Sequence, residues 1–206
     1  PSRLAVGQVE SSPIEGEQVP LGPTALADNA RFARGRLVHA LLQHLPELGV
    51  ENRERAARAF VAARGADLPE AIRSEIVTET LAVANDAEFA PLFAEGSLAE
   101  VPVVAVLREE PETVALSGQI DRLAVLGEEL LILDYKTNRP PPSRPEDVAP
   151  AYIAQLAAYR FALRLLFPGK SVRAALLWTD GPRLMEIPSP FLDAAESRML
   201  QSGAKP

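Results

Sequence analysis

Two aspartates and one lysine are the residues of this chain best placed to do chemistry. Asp134 and Lys136 stand two apart in the apolar run Leu130-Leu131-Ile132-Leu133-Asp134-Tyr135-Lys136, so in a strand both side chains leave the same face. Asp121 lies in the stretch before it, Thr113 to Leu126, and Gly127-Glu128-Glu129 is short enough to fold the two into an antiparallel hairpin. Asp121 is then expected close to Asp134 across the pair. Two carboxylates converging beside a lysine at a strand end favour Mg2+ or Mn2+, which take hard oxygen ligands. Such an ion lowers the pKa of a bound water and stabilises charge growing on a phosphoryl oxygen, while Lys136 orients the water or neutralises the transition state. The competing reading is an ordinary salt bridge, Asp134 to Lys136 to Asp121, on a solvated edge, because D-x-K after a strand is a weak pattern.

Other elements must bring these residues together. Residues 1–29 are rich in Pro, Gly, Ser and Glu without periodicity and read as a lead-in or linker. From Asn29 to Leu45 the apolar positions Leu37, Val38, Leu41, Leu42 and Leu45 recur at helical spacing, and Pro46 ends the run. Further helices are expected over 51–64, from Pro69 through Leu81, and over 86–94, so 30–97 forms a helical segment. The pattern then changes to Val, Ile and Leu runs at 98–107, 113–126 and 130–137, which read as strands. Leu130 to Leu133 is apolar on both faces, as in a central strand covered on both sides. Five prolines make 138–150 an exposed loop. A helix over 151–167, strands at 172–179 and 184–187 and a terminal helix near 191–200 complete a core over 98–206. The fold class is α+β, a mixed central sheet of about five strands flanked by helices, preceded by the helical segment.

Composition narrows the chemistry. Hydrophobic residues at 47% and charged residues at 24% place the chain among globular proteins. No apolar run approaches the roughly 18 residues of a membrane span, so no membrane partner is expected. There is no cysteine, which excludes disulfides, Cys-ligated zinc and a Cys-ligated iron–sulfur cluster, and fits a cytosolic protein. A net charge of -7 argues against tight autonomous binding of nucleic acid, whose affinity comes largely from neutralised phosphates. Gly169-Lys170-Ser171 imitates the end of a phosphate-binding loop, but Arg164 stands where its first glycine belongs, so no ATP site is expected. The start, Pro1-Ser2-Arg3-Leu4, has neither Met nor signal-peptide layout and reads as part of a longer polypeptide.

Several flanking residues have open readings. Gln155 and Tyr159, spaced i and i+4, share a helix face. Arg122, Asn138 and Arg139 flank the carboxylates and could meet phosphates. Trp178 and Tyr152 could stack on bases, although a lone aromatic in a strand is more often core. His39 sits on the first helix. His44, about 140° round that helix from His39, is given no role.

Taken in order, Gly35-Arg36-Leu37-Val38-His39, Gly118-Gln119-Ile120-Asp121-Arg122-Leu123, Ile132-Leu133-Asp134-Tyr135-Lys136-Thr137 and Gln155-Leu156-Ala157-Ala158-Tyr159 resemble the four motifs of the RecB-type PD-(D/E)XK nucleases. Within that branch the cysteine-free chain is most similar to the nuclease domains of AddA-type helicase–nucleases. The resemblance implies a restriction-endonuclease-like core with Asp121, Asp134 and Lys136 catalytic. His39, Asp121, Asp134 and the Tyr135 carbonyl would bind Mg2+, with Mn2+ able to substitute. Gln155 and Tyr159 would face the substrate, and Glu100 would match a further acidic position that binds a second metal, unless it is an ordinary edge carboxylate. It further implies hydrolysis of DNA phosphodiester bonds in double-strand-break repair and recombination, in the bacterial cytoplasm. Its partners would be a single strand delivered by helicase domains of the same chain, and a second AddB-like nuclease or scaffold protein. The alternatives are a catalytically silent DNA-handling or subunit-docking domain of the same fold, or an unrelated enzyme acting on small phosphate esters.

Overall fold

The computed structural model describes the backbone of residues 23–109 and 112–203, and side-chain environments over 29–105 and 117–201. Three helices come first: α1 (Pro23–His44), α2 (Val50–Arg64) and α3 (Glu70–Ala84). Then follow β1 (Leu98–Glu109), β2 (Glu112–Leu126), β3 (Glu129–Lys136), α4 (Pro150–Leu166), β4 (Ser171–Trp178), β5 (Arg183–Glu186) and α5 (Ser189–Gly203). The expected α+β order holds throughout. Residues 1–22 of the expected lead-in lie outside the described residues, whereas 23–29 belong to α1. Pro23 suits the first helical position, where no N–H is needed. The helix expected over 86–94 is a 3-10 turn, Ala90–Phe93, because Pro91 supplies no N–H to continue an α-helix.

The sheet runs β1-β2-β3-β4-β5 and is mixed: β3 and β4 are parallel, and all other neighbours are antiparallel. A parallel pair needs a long crossover, which α4 provides. β3 is therefore the central strand, and its six inner residues are buried.

Alternation along the strands sorts side chains into two apolar layers. Leu131, Leu133, Tyr135, Ala175 and Leu177 pack with Val38, Leu42, Ala57, Val61 and Ile76 of α1–α3 on one face. Leu130, Ile132, Ala174 and Leu176 pack with Leu156, Ala157, Leu163 and Leu192 of α4 and α5 on the other. The first layer carries a buried ionic knot. Glu79 of α3 is ion-paired with Arg34 of α1, accepts from Thr179 beyond β4, and is reached by Arg139 Nη2 at 3.0 Å. Arg34 Nη1 also donates to the Thr137 carbonyl at 3.1 Å, just past β3. α1 is thus tied to the ends of β3 and β4, where Lys136 emerges.

A buried carboxylate surrounded by donors is valuable only while every partner is present. Glu79→Ala strands the buried Arg34 and is expected to destabilise the fold by about 3–5 kcal/mol, and Glu79→Gln by less. Urea unfolding followed by circular dichroism measures both.

Candidate active site

The site forms where two strands part. β2 and β3 pair from Leu126↔Glu129 to Arg122↔Leu133, whereas β3 stays with β4 as far as Lys136↔Trp178. Alternation slips at the same place. Ile120 and Leu123, three residues apart, both pack in the layer beneath α4, while Arg122 turns to the α1 side. On the neighbouring strand Glu100 falls between the pairs Ala99↔Arg122 and Val101↔Ile120, opposite Asp121. Its φ of 52° is a left-handed conformation unusual for a residue with a β-carbon.

Asp121 occupies the fork. Its Oδ2 accepts the Tyr135 N–H at 2.7 Å, filling in for the ladder bond that the parted strands no longer make. Its Oδ1 lies 3.2 Å from His39 Nδ1. The sequence suggests Asp121 facing Asp134 across a regular ladder; the carboxylate turns instead into the gap, toward the β3 backbone and α1. Burial works against the charged imidazole of His39, but the adjacent Asp121 carboxylate outweighs it and holds the His39 pKa above its ordinary value. The Tyr135 ring meets His39 edge-on at 5.6 Å, and burial pushes the Tyr135 phenol up.

Asp134 and Lys136 share a face as expected. They form an ion pair, Nζ to Oδ2 2.5 Å, with side chains 4% and 13% exposed, so the solvated-edge reading does not describe them. Lys136 Nζ also donates to Gln155 Oε1 at 3.3 Å, Gln155 Nε2 donates to the Tyr159 hydroxyl at 3.3 Å, and that hydroxyl accepts the Gln119 N–H at 3.3 Å. Gln155 and Tyr159 therefore do share a face, aimed at Lys136 and β2. Burial pushes the Tyr159 phenol up. The approach needs Gly118, because a β-carbon there would stand 2.5 Å from Tyr159 Cε1.

The electrostatics suit a cation. Burial, and then the charge on Asp121, push Asp134 up to about 6 despite Lys136. Its Oδ2 is buried and is met by the Lys136 ammonium in an ion pair. Burial and Asp121 likewise raise Glu100. Three carboxylates thus repel one another around a half-buried imidazole, a donor set of the kind that hard divalent ions take up. As it stands the set is paired internally: among the described residues no three His, Asp or Glu side chains are gathered closely enough to hold a metal ion.

Three flanking expectations are corrected. Arg122 does not meet phosphates, because it is 2% exposed and its donors are engaged elsewhere. They go to the Tyr135 hydroxyl at 3.0 Å, Ser97 Oγ at 3.0 Å, and the Leu42 and Gln43 carbonyls of α1 at 3.3 and 3.2 Å. Arg139 is held away from the carboxylates by Glu75, Glu79 and Asp180. Trp178, 1% exposed, is core and presents no face to a base. Asn138 stays at the rim, where its Oδ1 accepts the Tyr152 hydroxyl at 3.0 Å. Sequence reasoning offered Tyr152 to bases, whereas its ring lies 4.0 Å from Lys136 Nζ, and it missed the Arg34–Glu79 knot beneath the site. The spacing of Tyr152 to Gln155, i to i+3 on one helix, was the available signal for its place beside Lys136.

Comparison with known proteins agrees with the geometry. The family model described as the PD-(D/E)XK nuclease superfamily matches residues 17–198. A curated relative, an ATP-dependent helicase/nuclease of the AddA type from Pelotomaculum thermopropionicum, is 29% identical over 171 residues, 73% of this chain. The match spans 13% of that protein's length. The solved structure titled "Crystal structure of SSO0001" is 14% identical with a TM-score of 0.37, covering 86% of this chain and 88% of that one.

Two expectations follow from the geometry. The pKa of Asp134 rises from an ordinary value of about 3.9 to about 6 on folding. Folded protein therefore holds this proton more tightly than the unfolded chain, and the associated stability is present below about pH 4 and lost as pH rises through about 6. Asp134→Asn should remove that loss, melting above wild type at pH 7–8 in metal-free buffer, with the gap closing toward about pH 4. Thermal melts across that range decide it, and parallel curves would refute the assignment. Gly118→Ala should force Tyr159 off its position and destabilise by about 1–3 kcal/mol, measured by chemical denaturation.

Proposed function

Because the chain belongs to the PD-(D/E)XK nuclease superfamily, we propose that it is a metal-dependent deoxyribonuclease that hydrolyses phosphodiester bonds. In this reading it is the nuclease module of a cytoplasmic helicase–nuclease for double-strand-break repair and recombination. The observation that carries the reading is the convergence of Asp121, Asp134, Lys136 and His39 at the strand fork, with Gln155 and Tyr159 beside them. Similarity to a helicase/nuclease supports the wider setting: helicase domains in the same polypeptide, a second AddB-like protein, and a DNA strand as substrate. A chain of net charge -7 gains most from such delivery, since it supplies little general attraction for phosphates.

The donor set fits Mg2+ or Mn2+. Asp121, Asp134, His39 and the Tyr135 carbonyl would hold the ion, with Glu100 opposite Asp121 as a further oxygen donor. When bound, the ion supplies an activated water and neutralises charge on the phosphoryl group. The side chains do the rest. Lys136 has three N–H groups; Asp134 and Gln155 take two directions, leaving one for the attacking water or a non-bridging phosphoryl oxygen. Gln155, pinned by Tyr159, keeps that ammonium from swinging out along its four-carbon stem. Asp121 aligns His39 and the β3 backbone at once.

The test is cleavage of end-labelled single-stranded DNA with Mg2+ or Mn2+, beside Asp134→Ala and Lys136→Ala. Wild type should degrade the strand, EDTA should stop it, and each variant should lose on the order of 100- to 1000-fold in rate. Mn2+ should also raise the melting temperature of wild type but not of Asp134→Ala, because a ligand stabilises only the fold that binds it. Equal degradation by all three proteins would sink the reading.

A further inference from the structure

A lysine ammonium on a four-carbon stem reaches many positions, and a reaction needs one of them. Asp134 and Gln155 restrain Lys136 from two sides. The third side is closed by an aromatic face: Lys136 Nζ stands 4.0 Å from the ring centroid of Tyr152, well inside the distance at which a cation is attracted to a ring. The ring is itself held. Its hydroxyl donates to Asn138 Oδ1 at 3.0 Å, and it leans against Trp178 at 6.5 Å with the planes 57° apart. Trp178 is fully buried and is the β4 residue in register with Lys136. Tyr152, Gln155 and Tyr159 therefore form one row along α4, spaced i, i+3 and i+7.

We propose that Tyr152 is a positioning residue, whose ring fixes the Lys136 ammonium and leaves its remaining N–H free for the reacting phosphate or water. The proposal rests on the nuclease reading of this site. A ring face suits the task better than another acceptor. It attracts the charge without directing any single N–H, so it restrains the nitrogen and occupies no donor.

The chain makes the test tractable, because its only lysines are at 136, 170 and 205. With 13C at the lysine ε-carbons of the full chain, in metal-free buffer, the Lys136 ε-methylene protons should be shifted upfield by the Tyr152 ring. The shift should persist in Tyr152→Phe and vanish in Tyr152→Leu. Lys170, whose ammonium donates to the Gly127 carbonyl, should not move in either and reports that the fold is intact. Single-turnover cleavage of single-stranded DNA with Mn2+ should fall on the order of 10- to 100-fold in Tyr152→Leu at unchanged strand affinity. Tyr152→Phe should recover most of that rate. A Lys136 resonance indifferent to Tyr152→Leu, or a leucine variant as fast as wild type, overturns the proposal. A wild type silent toward DNA, with the Lys136 resonance still dependent on Tyr152, overturns the nuclease reading instead.

Discussion

The site hangs on one hydrogen bond, from the Tyr135 N–H to the Asp121 carboxylate. Where two strands separate inside a folded protein, backbone donors lose their ladder partners, and a buried donor left unpaired costs about 1–3 kcal/mol. Asp121 satisfies one such group with its side chain. The opening between β2 and β3 is thereby made tolerable, and the opening is what gives His39 access to the carboxylates from α1. A single residue thus satisfies the backbone of the fork and meets His39 of α1. The two demands agree on a carboxylate, because an apolar side chain would orphan the amide.

Around that bond the molecule tolerates unfavourable electrostatics and concentrates its stabilising contacts elsewhere. Asp134 is buried beside a second carboxylate, and Glu100 is held in a left-handed backbone conformation opposite them. Each is unfavourable alone, and together they concentrate strain at the proposed site. The compensation is legible in the two apolar layers, which leave Ile120, Ile132, Leu133, Leu156 and Leu176 without solvent contact. It is also found in ionic clusters beyond the site: Glu79 with Arg34 and Arg139 on one face, and Arg160 of α4 with Glu196 and Asp193 of α5 on the other.

Much of the fold could be read from the residues, because β3 is apolar on both faces and α4 carries its apolar stripe at helical spacing. The sharing of a face by Gln155 and Tyr159, and by Asp134 and Lys136, follows from element periods alone. The fork was only partly legible. Ile120-Asp121-Arg122-Leu123 sets two charged residues between two apolar ones, which breaks period-2 alternation. It does not say which way Asp121 turns, and nothing in Glu100 announces a positive φ. That slip sent Asp121 sideways. Arg122 was misread for a related reason: a charge beside a candidate site residue suggests substrate, yet Arg122 turns to the α1 side. The first turns of α1 were illegible because their residues carry no apolar periodicity.

Asp121 and Arg122 have a joint effect that neither has singly. One reaches His39 of α1, the other the carbonyls of Leu42 and Gln43 about one turn further along the same helix, and they do so from consecutive positions of one strand. The pair works like two teeth of a rack engaging a screw. A slide of α1 by a single residue, about 1.5 Å, would unseat both contacts together, and no compensating rotation would restore one without the other. The longest helix is thereby indexed against the sheet, and the imidazole arrives at the carboxylates at one setting only.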